Sequence, residues 1–116
     1  MFIEILATVK IFHWNTKSYA QHKATDELYS RLNEHIDSFV EVFLGKDQTR
    51  IPKLDANIPL LNYHSNADSF LNRIDKYRDF VMRLDSCITG DTDLQNIRDE
   101  ILGDINQFRY LLSFDK

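Results

Sequence analysis

Five residues in this chain have the types and spacing to do chemistry together: His13, His22, Asp26, Asp37 and Glu41. Imidazole and carboxylate side chains in one cluster point to binding of a divalent metal ion. The last four fall on what reads as one long helix, symmetric about a point between residues 31 and 32. A two-fold axis at that point would set His22 opposite Glu41 of a second copy, and Asp26 opposite Asp37. At about 100° per residue the four positions share a sector of roughly 100°, yet Asp26 and Asp37 lie about 16 Å apart along the axis. One chain cannot close both halves on one ion, so the spacing predicts a homodimer through helix two with two identical sites. Without metal, three carboxylates in that interface would crowd negative charge and raise one another's pKa values.

The elements that must position these residues are helical. Over 116 residues the chain has 43% apolar residues, three Gly and two Pro, which suits a single domain spanning 1–116 with its own core. No strand alternation stands out. Helix one is expected over residues 2–16, with Ile3, Leu6, Val9 and Phe12 on one side and Ile5 and Ile11 widening the stripe. Helix two is expected from Tyr19 to Leu44, its core stripe Leu28, Leu32, Ile36, Phe39, Val40 and Phe43, with Gly45 as its stop. Residues 46–64 carry Pro52 and Pro59 and read as a long crossover, which would make helix three parallel to helix two. Helix three is expected from Ser65, with Asp68 in its first turn and the stripe Phe70, Ile74, Tyr77, Val81, Leu84 and Ile88. After the turn Thr89-Gly90-Asp91, Thr92 and Gln95 suit a capping box opening helix four. Its stripe is Leu94, Ile97, Ile101, Ile105, Phe108 and Leu112. Gly103 marks either a close helix approach or a tolerated weak point. The expected fold class is all-α, a four-helix bundle with one long crossover.

Composition narrows the function classes. The single cysteine, Cys87, excludes an internal disulfide and reads as a small core residue. The apolar opening stretch is broken by Glu4 and Lys10 and is too short to span a bilayer, so a soluble cytoplasmic protein is the expectation. A net charge of −4 without a Lys/Arg-rich tail argues against DNA as a partner.

His13-Trp14-Asn15, His22, Asp26, His35-Ile36-Asp37 and Glu41 together resemble the ferroxidase signature of the Dps-like branch of the ferritin-like proteins. The Gly90-Asp91-Thr92 turn and the closing Ile105-Asn106-Gln107-Phe108-Arg109-Tyr110-Leu111-Leu112 resemble that family's last helix. The compact run from His13 to Ala24 is most similar to small phage- and virus-encoded relatives, which would place the protein in a host cytoplasm. The resemblance implies a ferritin-like bundle with an iron site at a two-fold interface: His13, His22 and Asp26 from one chain, Asp37 and Glu41 from its mate. It also implies Fe(II) oxidation by peroxide or dioxygen, with Mn or Zn as substitute ions, and a higher homo-oligomer such as the dodecamer of that branch. The His13–His22 interval is shorter than the family's usual spacing, and the chain begins at helix one without a basic extension.

Other candidates read more plainly. Trp14 suits core or interface, and by resemblance could shield the metal and tolerate one-electron oxidation. Tyr29 suits dimer packing, His35 surface, and His64 the crossover with no partner. Asp75, Asp79, Asp85, Asp99, Glu100 and Asp104 read mostly as a solvated face. No Glu-x-x-His pair occurs, so the in-bundle di-iron signature is missing. The alternative to a ferroxidase is a non-catalytic helical interaction protein, a phage accessory factor with a vestigial or different metal site.

Overall fold

Heptad-like apolar spacing produces four long helices in the computed structural model, which describes residues 1–51, 57–60 and 66–115. They are α1 (Phe2–Asn15), α2 (Tyr19–Asp47), α3 (Ala67–Arg83) and α4 (Thr92–Leu112), with short 3₁₀ turns at Leu84–Cys87 and Ser113–Asp115. Among the described residues there is no strand. No described helix is long and apolar enough to cross a membrane.

Side-chain pairs fix the helix directions. Phe2 meets both Phe39 and Phe80, while Phe12 stacks on Phe70, so α1 runs antiparallel to α2 and to α3. Lys46 pairs with Asp91 near one end of α2 and Arg31 bonds Gln107 nearer the other, so α4 is antiparallel to α2. Helices α2 and α3 are therefore parallel, joined by a connection between Gln48 and Asn66 that is only partly described. The sequence expectation drawn from the length of that connection agrees.

The core is built from one seam per helix: Ile5, Val9 and Phe12; Leu28, Leu32, Ile36 and Phe39; Phe70, Ile74, Tyr77 and Val81; Leu94, Ile101, Ile105, Phe108 and Leu112. Phe70 stacks on Phe12 at 4.0 Å and meets Phe108 edge-on at 5.8 Å, which joins three helices. One buried polar link crosses the core. The Thr8 hydroxyl lies 2.8 Å from the Tyr77 hydroxyl, which donates to Glu4 at 2.8 Å. Burial, the largest cause, pushes the Tyr77 phenol above its ordinary pKa.

Several local expectations need correction. Ile3 does not join the α1 seam. It lies about 200° around the helix from Ile5, and it is 63% exposed. Gly45 does not stop α2, which continues to Asp47; Gln48 takes the left-handed conformation (φ 52°) and Thr49 N–H reaches back to the Leu44 carbonyl at 3.0 Å. The extra turn carries Lys46 to Asp91, an ion pair that also explains the next departure. Asp91, not Thr92, is the N-cap residue of α4, and its carboxylate is drawn to Lys46, so no capping box forms. Gln95 instead donates from its side chain to the Ile88 carbonyl at 3.1 Å. Helix α3 starts at Ala67, capped by the Asn66 side chain, and Ser65 lies outside the described residues. Cys87 is exposed, not core, because the tighter 3₁₀ turn after Arg83 rotates it outward while Ile88 stays buried.

A Cβ added at Gly103 would meet nothing within 4 Å, so no close helix approach requires this glycine. Gly103→Ala is expected to stabilise the fold by about 1 kcal/mol, read as a higher urea midpoint.

His35 is not a surface residue. It bridges α2 to α4, with Nδ1 2.5 Å from Asp104 and Nε2 3.1 Å from Glu100. Asp104 is accordingly buried, unlike the solvated carboxylate expected from its helix face. Asp75 pairs with Arg109, and Asp85 and Asp99 both hold the buried Arg98. Burial holds the Asp104 carboxyl above the usual carboxylate range, opposed by its bond to His35. An acid with a raised folded pKa binds its proton more tightly folded than unfolded, so its contribution to stability falls as pH rises through that window. Relative to Asp104→Asn, the wild type should therefore lose stability as pH rises above the ordinary aspartate range, as read by urea melts.

Candidate metal site

The turn Thr16-Lys17-Ser18 is what brings the two histidines together. Thr16 N–H closes α1 on the Phe12 carbonyl at 2.9 Å, and the Ser18 hydroxyl caps α2 by accepting from Gln21 N–H at 3.2 Å. The chain reverses in three residues, so His13 in the last turn of α1 faces His22 in the first turn of α2. Their rings stack with centroids 3.9 Å apart and 19° between planes.

The stack is locked by a reciprocal pair of hydrogen bonds. His13 Nδ1 lies 2.9 Å from the His22 carbonyl, and His22 Nδ1 lies 3.0 Å from the His13 carbonyl. A carbonyl oxygen only accepts, so each Nδ1 carries a proton, and in the neutral ring Nε2 is then the nitrogen with the lone pair. Backbone-anchored imidazoles of this kind are the usual form of metal-ligating histidine. Thr25, fully buried beneath the pair, lies 3.1 Å from His13 Nδ1 and donates its hydroxyl to the Gln21 carbonyl at 2.7 Å. Sequence reasoning missed Thr25. The only available signal was its place one turn after Gln21, on the side of α2 that meets α1.

Asp26, Asp37 and Glu41 all stand exposed on α2 beside His22, along the uninterrupted helix that the spacing required. Asp37 and Glu41 stand one turn apart on α2. A hydrogen bond to Asp37 and then the Asp37 charge hold the Glu41 carboxyl above the usual range. A crowded carboxylate pair is an anionic half-site that a cation relieves. His13 is buried, His22 is exposed, and Asp26 lies one turn further along α2. Between Asp26 and Asp37 the face carries Tyr29, Ser30 and Asn33, with the exposed Glu34 at its edge. Within one chain, among the described residues, no three His, Cys, Asp or Glu side chains converge on a common point.

The α1 face next to these residues is unexpectedly apolar. Ile3, Ala7, Lys10 and Trp14 follow one helical stripe, and Lys10 sets its ammonium 4.6 Å from the Tyr29 ring and 5.8 Å from the Trp14 ring. Trp14 is 68% exposed, so the core half of its expected role does not hold in this chain. His64 lies outside the described residues.

The described residues form an all-helical bundle in which the α1–α2 turn sets His13 against His22, with Asp37 and Glu41 further along α2. The chain belongs to a family of unknown function, DUF5856, whose model matches residues 13–112. It is similar to an uncharacterised 14.6 kDa protein from the mobD-ri intergenic region of Enterobacteria phage T4. The two are 32% identical over 105 residues, covering 89% of this chain and 75% of the phage protein. No solved structure matches.

Proposed function

We propose that this is a ferritin-like protein of the Dps-like branch that takes Fe(II) as substrate at a site shared between two antiparallel copies of α2. Peroxide or dioxygen is the oxidant, and the outcome is iron detoxification. The observation that carries this reading is the His13–His22 pair, whose Nδ1 atoms are both anchored on backbone carbonyls so that Nε2 is the nitrogen left for a metal. The Asp37–Glu41 pair at the mirror positions supplies the complementary half. The parallel α2 and α3 with their long connection match the helix order the ferritin-like bundle needs.

In this reading His22 and Asp26 of one chain and Glu41 of its mate hold the first Fe(II), with His13 and Asp37 completing the site. Carboxylates favour the ferric state as the electron leaves, and Thr25 and the two backbone carbonyls keep the imidazoles oriented. Mn(II) and Zn(II) suit the same donors. Closing the dimer would also cover Ile3 and Trp14, two large apolar side chains now in water.

Metal that binds only the assembled site must stabilise it. Anaerobic Fe(II), or Zn(II) as an inert substitute, at about a hundred times its dissociation constant should stabilise the dimer by about 2.7 kcal/mol for each of its two sites. The test is thermal melting with parallel sedimentation; unchanged melting and an unchanged monomer fraction would sink the shared site. One observation favours a second reading, a non-catalytic phage interaction module. The Ile3–Trp14 stripe could equally be covered by a different protein, and absence of metal affinity would select that reading.

A further inference from the structure

At the Phe2 end of the bundle, away from the histidines, we propose a second site that binds a small anionic amphiphile such as a medium-chain carboxylate. It is a cavity of about 450 Å³ walled by Phe2, Val40, Phe43, Ile51, Leu84 and Ile88. It arises from the way the helices end. Phe2 meets Phe39 at 5.5 Å, and α2 then continues two turns further, carrying Phe43 and Leu44 past that level. On the other side α3 has already tightened into its 3₁₀ turn, so the walls diverge. Phe43 and Ile51 are left exposed on the lining. Volume and apolar character suit a small molecule: such sites span about 300–1,000 Å³ and fix orientation with a few polar groups.

The polar groups here are Thr49 and Arg50, and Arg50 is the charged residue among the described lining. The nearby Lys46 is already engaged by Asp91. Arg50 donates to the Thr49 carbonyl at 2.9 Å, and no described carboxylate meets it. An apolar cavity with one guanidinium at its rim is complementary to an alkyl chain ending in a carboxylate, which arginine can grip with two parallel bonds. This inference does not depend on the metal reading.

Cys87, the chain's one cysteine, is exposed on the lining and reports occupancy. The experiment follows alkylation of Cys87 by N-ethylmaleimide, by mass, in the presence of dodecanoate below its micellar concentration. Dodecanoate should slow alkylation saturably. Arg50→Gln should shift half-protection to about tenfold higher dodecanoate, while uncharged dodecanol protects both proteins alike. Val40→Trp, which fills the cavity, should lose protection while keeping its melting transition. The proposal is overturned if dodecanoate leaves the rate unchanged, or if it protects wild type and Arg50→Gln equally. It is also overturned if Cys87 is already unreactive without ligand, or if protection coincides with a shift to dimer in sedimentation, since the chain itself or a second copy then covers the cavity.

Discussion

Asp26→Ala and Glu41→Ala should each reduce Fe(II) oxidation, followed as ferric absorbance after peroxide addition, by at least about a hundredfold. Loss of a group that merely supports a metal ligand typically costs about 10- to 100-fold, and these residues are proposed as ligands themselves. Both side chains stand in water on α2, so neither substitution leaves a core cavity or an unpaired buried group. The metal-free variants should therefore melt within about 0.5 kcal/mol of wild type. That separation of effects is what makes the pair informative. Oxidation that survives both substitutions would move the chemistry away from α2. His13→Ala should behave differently, because His13 is buried and its Nδ1 holds the start of α2 through the His22 carbonyl.

Phe70→Ala should be the most damaging change to the fold, at about 3–5 kcal/mol. The side chain is fully buried, stacked on Phe12 and edge-on to Phe108, so truncation opens a void at a junction of α1, α3 and α4. Domains of this size hold only about 5–15 kcal/mol in total. The variant should lose a large part of its cooperative urea transition at ambient temperature. It should also lose metal-dependent stabilisation, since α1 must be docked for His13 to reach His22. A loss under 1 kcal/mol would mean that this junction is not packed as described.

The helices were legible because their seams are regular. Leu28, Leu32, Ile36 and Phe39 repeat at three and four residues, and a stripe of that kind has one way to be buried. The parallel course of α2 and α3 followed from the length of the connection between them. Helix ends were less legible, because they depend on competition between distant groups. Asp91 was read as part of a turn and Thr92 as a cap, but Lys46, forty-five residues earlier, takes the Asp91 carboxylate. The same kind of competition hid His35: its two carboxylate partners sit on α4, and only the antiparallel packing of α2 on α4 brings them within reach. Cys87 was misplaced because a 3₁₀ turn advances about 120° per residue instead of 100°, which turns Cys87 outward while Ile88 stays buried as its stripe required.

The site was half legible. Residue types and symmetric spacing were visible on α2, whereas the tautomers of His13 and His22 were not. They are set by backbone carbonyls that face the rings only after a three-residue turn has folded. Ile3 was likewise read as part of the α1 seam and Trp14 as core or interface, and only their exposure distinguishes them from core.

The most direct test of the central claim is complementation between two inactive variants. Asp26→Ala and Glu41→Ala are mixed, unfolded together, refolded, and assayed for Fe(II) oxidation. In a mixed dimer one site loses both Asp26 and Glu41, while the other takes His22 and Asp26 from one chain and Asp37 and Glu41 from its mate, all intact. With random pairing half the dimers are mixed and each has one of two sites, so the mixture should recover about a quarter of the wild-type rate. A mixture as inactive as its parents would contradict a site shared across the two-fold axis.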